Sequence, residues 1–189
     1  MNSKTLVSDL RTQRVLPIFR QNSAEVKQIL NQLRPLNIRV IELTTSIPRW
    51  QDLVEDLSNE YIVGVGTIKS ESQIQQAKAA GAQFLVSFGF FDALIEEVDI
   101  PVIPGAMTPN ELLTIQRAGV RCAKIYPASV LGKKYISDLK VLMPEMELMV
   151  TGGIPSSKDE IDSWIASGAF CVGVGSSVTS LLQAASRRH

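Results

Sequence analysis

Histidine is almost absent: the only one among 189 residues is His189, the last. Without an internal imidazole, neither a Ser-His triad nor a histidine-bearing zinc site can be built. Cysteine is nearly as scarce. Cys122 and Cys171 lie in apolar stretches without a CxxC pair, which fits buried free thiols in a reducing compartment better than a disulfide. Net charge is missing as well, because nineteen Lys plus Arg balance nineteen Asp plus Glu. The bulk attraction that loads basic proteins onto nucleic acid or anionic lipid is therefore lacking, and any anionic ligand must be held locally. No uninterrupted apolar run approaches the roughly 18 residues needed to cross a bilayer, and MNSKTLVSDLRTQRV has neither an apolar signal core nor a cleavage site. The expectation is a cytoplasmic chain with no nucleic-acid partner and no membrane segment.

What is present is an ordinary globular composition, 45% hydrophobic and 20% charged, able to pack a core. No linker or low-complexity tract divides it, so residues 1–189 read as one domain. Eight short β-branched runs predict strands: VLPIF (15–19), IRVIEL (38–43), YIVGVG (61–66), QFLVSF (83–88), PVIPG (101–105), VRCAKIY (120–126), ELMVTG (147–152) and FCVGVG (170–175). Between them apolar residues recur at helical spacing, as in Val26, Ile29, Leu30 and Leu33, or Leu112, Leu113, Ile115 and Ala118.

Local signals bound those helices. Asn22 to Glu25, Ser70 to Gln73, Thr108 to Glu111 and Ser157 to Glu160 each read as a capping box, with Pro109 at a first helical position. Gly81, Gly119 and Gly168 follow helices where a left-handed residue is wanted, in three similar junctions, AAGAQFLVS, RAGVRCAKI and ASGAFCVGV. Each interval between these glycines holds two strand-helix units, the spacing of a repeating βα unit. Eight such units, with strands apolar on both faces, close most simply into a single (β/α)8 TIM barrel. A doubly wound open sheet is the competitor, but it would carry a Gly-rich turn after its first strand, where this chain has RQNS.

In a barrel, chemistry collects at the C-terminal ends of strands. There the chain places Arg20, Glu42, Thr67, Lys124, Thr151-Gly152-Gly153 and Gly173-Val174-Gly175-Ser176-Ser177. Alternation puts Cys122 and Lys124 on one strand face and Ala123 and Ile125 on the other. An ammonium desolvated inside a barrel loses pKa, leaving a neutral amine able to form a Schiff base with a ketone, whereas a lysine snorkelling to the mouth would only solvate. Glu42 can move protons, directly or through water, or serve merely in an ion pair with Lys124 or Arg20. The glycine-rich turns after strands seven and eight suit a phosphate, which backbone N–H groups and a helix N-terminus would hold. Arg20 has the planar fork for a carboxylate, though a solvated arginine is the plain alternative. Thr67 and Thr151 either end their strands or orient a small oxo-acid.

Six stretches in order and spacing, IELTT around Glu42, GVGT ending at Thr67, PGAMTPNE (104–111), KIYPAS from Lys124, TGGI (151–154) and GVGSS (173–177), resemble the bacterial 2-keto-3-deoxy-6-phosphogluconate aldolase family. Relatives in that family cleave 4-hydroxy-2-oxoglutarate or the 6-phosphogalactonate substrate. The resemblance implies a class I aldolase and lyase of carbohydrate metabolism (Entner-Doudoroff type), needing no metal or organic cofactor. It would release pyruvate and glyceraldehyde 3-phosphate from a phosphorylated keto-acid, or pyruvate and glyoxylate from hydroxyoxoglutarate. It assigns the Schiff base to Lys124, with Tyr126 and Pro127 shaping the pocket, and proton transfer to Glu42. Thr67 and Thr151 would face the pyruvate moiety, Gly152, Gly153, Gly175 and Ser176 the phosphate. It also implies a homotrimer. Where the phosphogluconate branch often has an arginine, this chain has Ser46; Arg20 and GKKYISDLK (132–140) resemble the phosphogalactonate branch, which makes Arg20 the carboxylate candidate. Two rivals are a barrel sugar-phosphate epimerase and a non-catalytic sugar-phosphate-binding paralogue. Arg187, Arg188 and His189 read as a solvated tail.

Overall fold

In the computed structural model, residues 2–96, 98–176 and 178–181 are described; Ser177 and the tail Arg187-Arg188-His189 lie outside them. The strands are β1 (Val15–Phe19), β2 (Val40–Thr44), β3 (Ile62–Ile68), β4 (Phe84–Ser87), β5 (Val102–Ile103), β6 (Gly105–Ala106), β7 (Cys122–Ile125), β8 (Glu147–Thr151) and β9 (Ala169–Val174). All pair in parallel, in the order β5-β4-β3-β2-β1-β9-β8-β7-β6. The expected fifth strand, PVIPG, is thus two pieces separated by Pro104. Proline lacks the N–H that a continuous ladder needs. Val102 and Ile103 pair with β4, while Gly105 and Ala106 pair with β7. The Pro104 carbonyl accepts from the Lys124 backbone N–H at 2.8 Å. Counted as one stave, this segment joins the two ends of the sheet into an eight-staved barrel, as expected.

Helices α2 (Ser23–Leu33), α3 (Trp50–Leu57), α4 (Glu71–Ala79), α5 (Ala93–Glu96), α6 (Pro109–Arg117), α7 (Ala128–Leu142) and α8 (Lys158–Ala166) follow an opening helix, α1 (Ser3–Gln13). Of the four expected capping boxes, only Thr108–Glu111 is reciprocal. Asn22, Ser70 and Ser157 accept from the backbone three residues on, but the return bond is not made. Gln73 instead accepts from Lys69 N–H, one residue before the cap. Pro155 lies in the loop between β8 and α8, which starts at Lys158. Leu113, expected on the buried face, is exposed, while Leu112 and Ile115 are buried.

The outward strand faces pack under the helices in one large apolar layer that includes Ala123 and Ile125. A second cluster fills the barrel itself: Leu16, Ile18, Val40, Phe84, Val86, Ile103, Cys122, Met149, Phe170 and Cys171. Leu6 and Leu10 of α1 belong to this inner cluster, so the first helix plugs the end of the barrel where the strands begin. Each buried leucine there contributes about 1.5–3 kcal/mol. This plug has no counterpart among the eight predicted βα units. Asn2 caps α1 by accepting from Thr5 N–H. At its other end Gln13 stitches the strand starts together, donating to the carbonyls of Val15 and Val40 and accepting from Arg39 and Val40 N–H.

Candidate active site

Cys122 lies in the inner cluster while Ala123 and Ile125 lie in the outer one, so alternation turns Lys124 into the barrel. Glu42 alternates in the same way with the inner Val40 and the outer Ile41 and Leu43. In the eight-staved ring, β2 and β7 are four staves apart in either direction, so the two side chains project from opposite walls. Both are buried, with Glu42 2% and Lys124 8% exposed. Among the described residues they form no direct ion pair, and their coupling is through space.

The electrostatics follow from that enclosure. Burial pushes the Glu42 carboxyl up from 4.5 to about 7, against the opposing pull of Lys124 and then Arg20. Burial lowers the pKa of the Lys124 amine; Glu42 counteracts this and Arg20 adds to it. The Glu42 oxygen Oε2 is buried with no hydrogen-bond partner. Its carboxyl fits only because residue 66 is glycine, since a Cβ there would overlap Oε1. The buried Cys122 thiol is pushed up to about 12 and donates to the Val102 carbonyl, and neither cysteine forms a disulfide. These thiols are inert packing atoms.

Above this pair a cavity of about 340 Å³ opens at the strand ends. Of the expected site residues, Arg20, Tyr126, Thr151, Gly152, Gly153, Gly175 and Ser176 line it. Lys124, Glu42, Thr67 and Pro127 do not. Glu42 pairs in register with Ile18, which is in the cavity wall, and Lys124 precedes Ile125 and the wall residue Tyr126. The ionisable pair therefore lies next to the lining residues, deeper in the barrel, without itself lining the cavity. The Arg20 guanidinium lies over Gly175, where any Cβ would meet Nη1, so this glycine opens space for an arginine as well as for a ligand. Gly152 and Gly153, with φ of 100° and 72°, turn the chain sharply after β8. The Tyr126 ring packs on Gly152 and remains 46% exposed, joined to Pro127 by a cis peptide bond. The Thr151 hydroxyl donates to the Gly173 carbonyl at 3.1 Å, which leaves it only acceptor capacity toward a ligand.

Thr67 departs from its expected place. It does not close β3, which runs on to Ile68; the ladder to β4 shifts between Gly66 and Ile68, so Thr67 is the extra residue of a bulge. Its φ of 63° is left-handed, a costly conformation for a β-branched residue. Its carbonyl accepts from the Thr45 hydroxyl. Gly173, read beforehand as part of the glycine-rich turn after the last strand, also lines the cavity, while three further lining residues, Ile18, Gln21 and Ile154, were missed by the sequence reading. Gln21 was legible only as the residue after Arg20, with no motif to mark it. Ser46, at the position of the missing arginine, shares a 2.7 Å hydroxyl contact with Thr44, whose Oγ1 also donates to the Phe19 carbonyl.

Fold and site together define a parallel-barrel protein with an amine and a carboxyl enclosed at the C-terminal end of its strands. Residues 6–186 match the profile of the KDPG and KHG aldolase family, and the chain belongs to that family. Over 143 residues it is 33% identical to the 2-dehydro-3-deoxy-phosphogluconate aldolase of Dickeya dadantii, covering 72% of this chain and 67% of that one. Over 144 residues it is 26% identical to the 2-dehydro-3-deoxy-6-phosphogalactonate aldolase of Escherichia coli, covering 72% and 69%. A crystal structure of the Legionella pneumophila KDPG aldolase, with pyruvate captured as a covalent carbinolamine, superposes with a TM-score of 0.83 at 24% identity, covering 95% of this chain and 96% of that one.

Proposed function

We propose that this chain is a class I aldolase that cleaves a 2-keto-3-deoxy-6-phospho sugar acid to pyruvate and glyceraldehyde 3-phosphate. One observation carries the reading: a buried amine of lowered pKa faces a buried carboxyl of pKa about 7 across the barrel, beneath an open cavity. A neutral Lys124 attacks the C2 ketone, and the carbinolamine loses water as Glu42 supplies a proton. The resulting iminium is the electron sink. The Glu42 carboxylate then takes the C4 hydroxyl proton, the C3–C4 bond breaks, and its electron pair flows into the iminium to leave an enamine. The aldehyde departs, Glu42 returns the proton to C3, and hydrolysis frees pyruvate and the amine. A carboxyl that titrates near neutrality suits both halves of this exchange.

Arg20 is the cation we assign to the substrate carboxylate, and Thr67 and Thr151 orient the pyruvate half while Tyr126 and Pro127 shape its pocket. The turns at Gly152, Gly153, Gly175 and Ser176 receive the phosphate with backbone N–H groups. Incubation with pyruvate and borohydride, followed by mass spectrometry, tests the reading. It predicts an irreversible adduct on Lys124 and none in Lys124→Met; a folded wild type without an adduct would instead favour acid-base chemistry of the epimerase kind or ligand binding alone.

We also place the chain in the cytoplasm, where two unpaired thiols persist. Among the described residues no helix is long and apolar enough to cross a membrane. For its assembly we propose a homotrimer. Phe88, Met107 and Val130, just after β4, just after β6 and in the first turn of α7, are exposed apolar residues that suit an interface between copies. Light scattering should give three times the 20.7 kDa chain mass.

A further inference from the structure

We propose that Gln21 is a specificity residue that reads the phosphorylated, leaving half of the substrate through its amide donor; this rests on the aldolase reading above. The residue follows the strand-end Arg20 directly and lines the same cavity as Arg20, Gly153 and Ser176. Its Oε1 accepts from the Arg20 backbone N–H at 2.9 Å. That bond fixes the orientation of the carboxamide, because only the oxygen can accept. Among the described residues no hydrogen bond is made by the Nε2 donor, and the residue that carries it lines the cavity.

The surroundings select the ligand chemistry. Among the described residues that line the cavity none is acidic, and Arg20 is the one cation. With Arg20 assigned to the carboxylate at the other end of the substrate, a pinned, neutral NH2 group in the same cavity as the two glycine-rich turns is a donor for an anionic oxygen, here a phosphoryl oxygen of the departing aldehyde. With one end anchored to the backbone, the side chain loses little freedom on binding, which is how a single hydrogen bond discriminates between ligands. Gln21 stands apart from Lys124 and Glu42, so it should affect which substrate is retained rather than the bond-making steps.

The experiment compares Gln21→Glu and Gln21→Met. Glutamate keeps an acceptor for the Arg20 N–H but deletes the donor and adds a negative charge; methionine deletes both polar functions without charge. Each is assayed on the phosphorylated sugar acid, on its dephosphorylated analogue, and for borohydride trapping of pyruvate on Lys124. The expected result is a KM for the phosphorylated substrate raised about 10- to 100-fold by glutamate and less by methionine. Pyruvate trapping and turnover of the dephosphorylated analogue should stay at the wild-type level. Two outcomes overturn the proposal. Either glutamate behaves as wild type while methionine does not, so that Gln21 only braces the Arg20 backbone, or both substrates suffer equally. Failure of the aldolase reading would show separately, as wild type that traps no pyruvate.

Discussion

The two ends of the barrel are built from the same parallel strands yet packed to opposite purposes. Where the strands begin, inward positions carry large apolar groups such as Leu16, Val40 and Phe84, and α1 adds Leu6 and Leu10 to seal them. Farther along the strands, inward positions carry Glu42, Lys124, Thr151 and the glycines 66 and 173. The closed end excludes water by filling space. Toward the mouth, the missing side chain at Gly66 leaves room for the Glu42 carboxyl, which the rest of the barrel, like the Lys124 amine, then desolvates. Apolar filling is concentrated at one end and buried ionisable groups toward the other, and the two are linked, because Lys124 loses pKa only while its surroundings stay dry.

The largest test of this division is Glu42→Gln. Loss of the proton carrier should lower kcat by about 10²- to 10⁴-fold, read as pyruvate release in a coupled assay. The same variant should be more stable at alkaline pH. Glu42 in the native state titrates near 7 rather than 4.5. Between those values the native state holds a proton that the unfolded chain has released, so stability falls as pH rises through this window and the whole penalty persists above it. Glutamine removes the penalty, a gain of up to about 3 kcal/mol near pH 8 and none near pH 4, measured by urea denaturation at the two values. An equal gain at both would mean that the carboxyl is not strained by burial.

At the opposite end, Leu10→Ala should cost about 2–5 kcal/mol in the same denaturation experiment. Under native conditions it should leave pyruvate trapping on Lys124 unchanged. A loss of trapping without a loss of stability would erase the distinction between plug and mouth.

The smallest effect is expected at Thr67→Gly. Relief of a left-handed β-branched residue, offset by the greater freedom of glycine in the unfolded chain, should stabilise the fold by about 0.5–1 kcal/mol. Activity should fall as the hydroxyl is lost, so that stability and kcat/KM move in opposite directions at one position at the mouth.

How much of this could be read beforehand depends on whether the governing force is local. The Thr108 capping box, Pro109 at the start of α6 and the glycines after α4, α6 and α8 depend on residues within one turn, and they stand where expected. The missing return bonds at Asn22, Ser70 and Ser157 depend on where a flexible side chain settles among neighbours, which spacing does not specify. The α1 plug escaped notice because Leu6 and Leu10 form a short apolar pair in a polar segment, and their burial depends on strands that come later in the chain. The split at Pro104 was visible as a proline but not as a seam, since a seam exists only when β4 and β7 both arrive. Gln21 carried no motif at all.

The chain's own order of residues determined the number of staves, their alternation and the chemical groups at their ends, because helix caps and strand periodicity act over a few residues. Ring closure alone decided which strand face is the inside, that positions 42 and 124 look at each other from opposite walls, and that Arg20 rests on Gly175. These relations join residues far apart in sequence, and the desolvation that lowers the pKa of Lys124 is a property of everything packed around it.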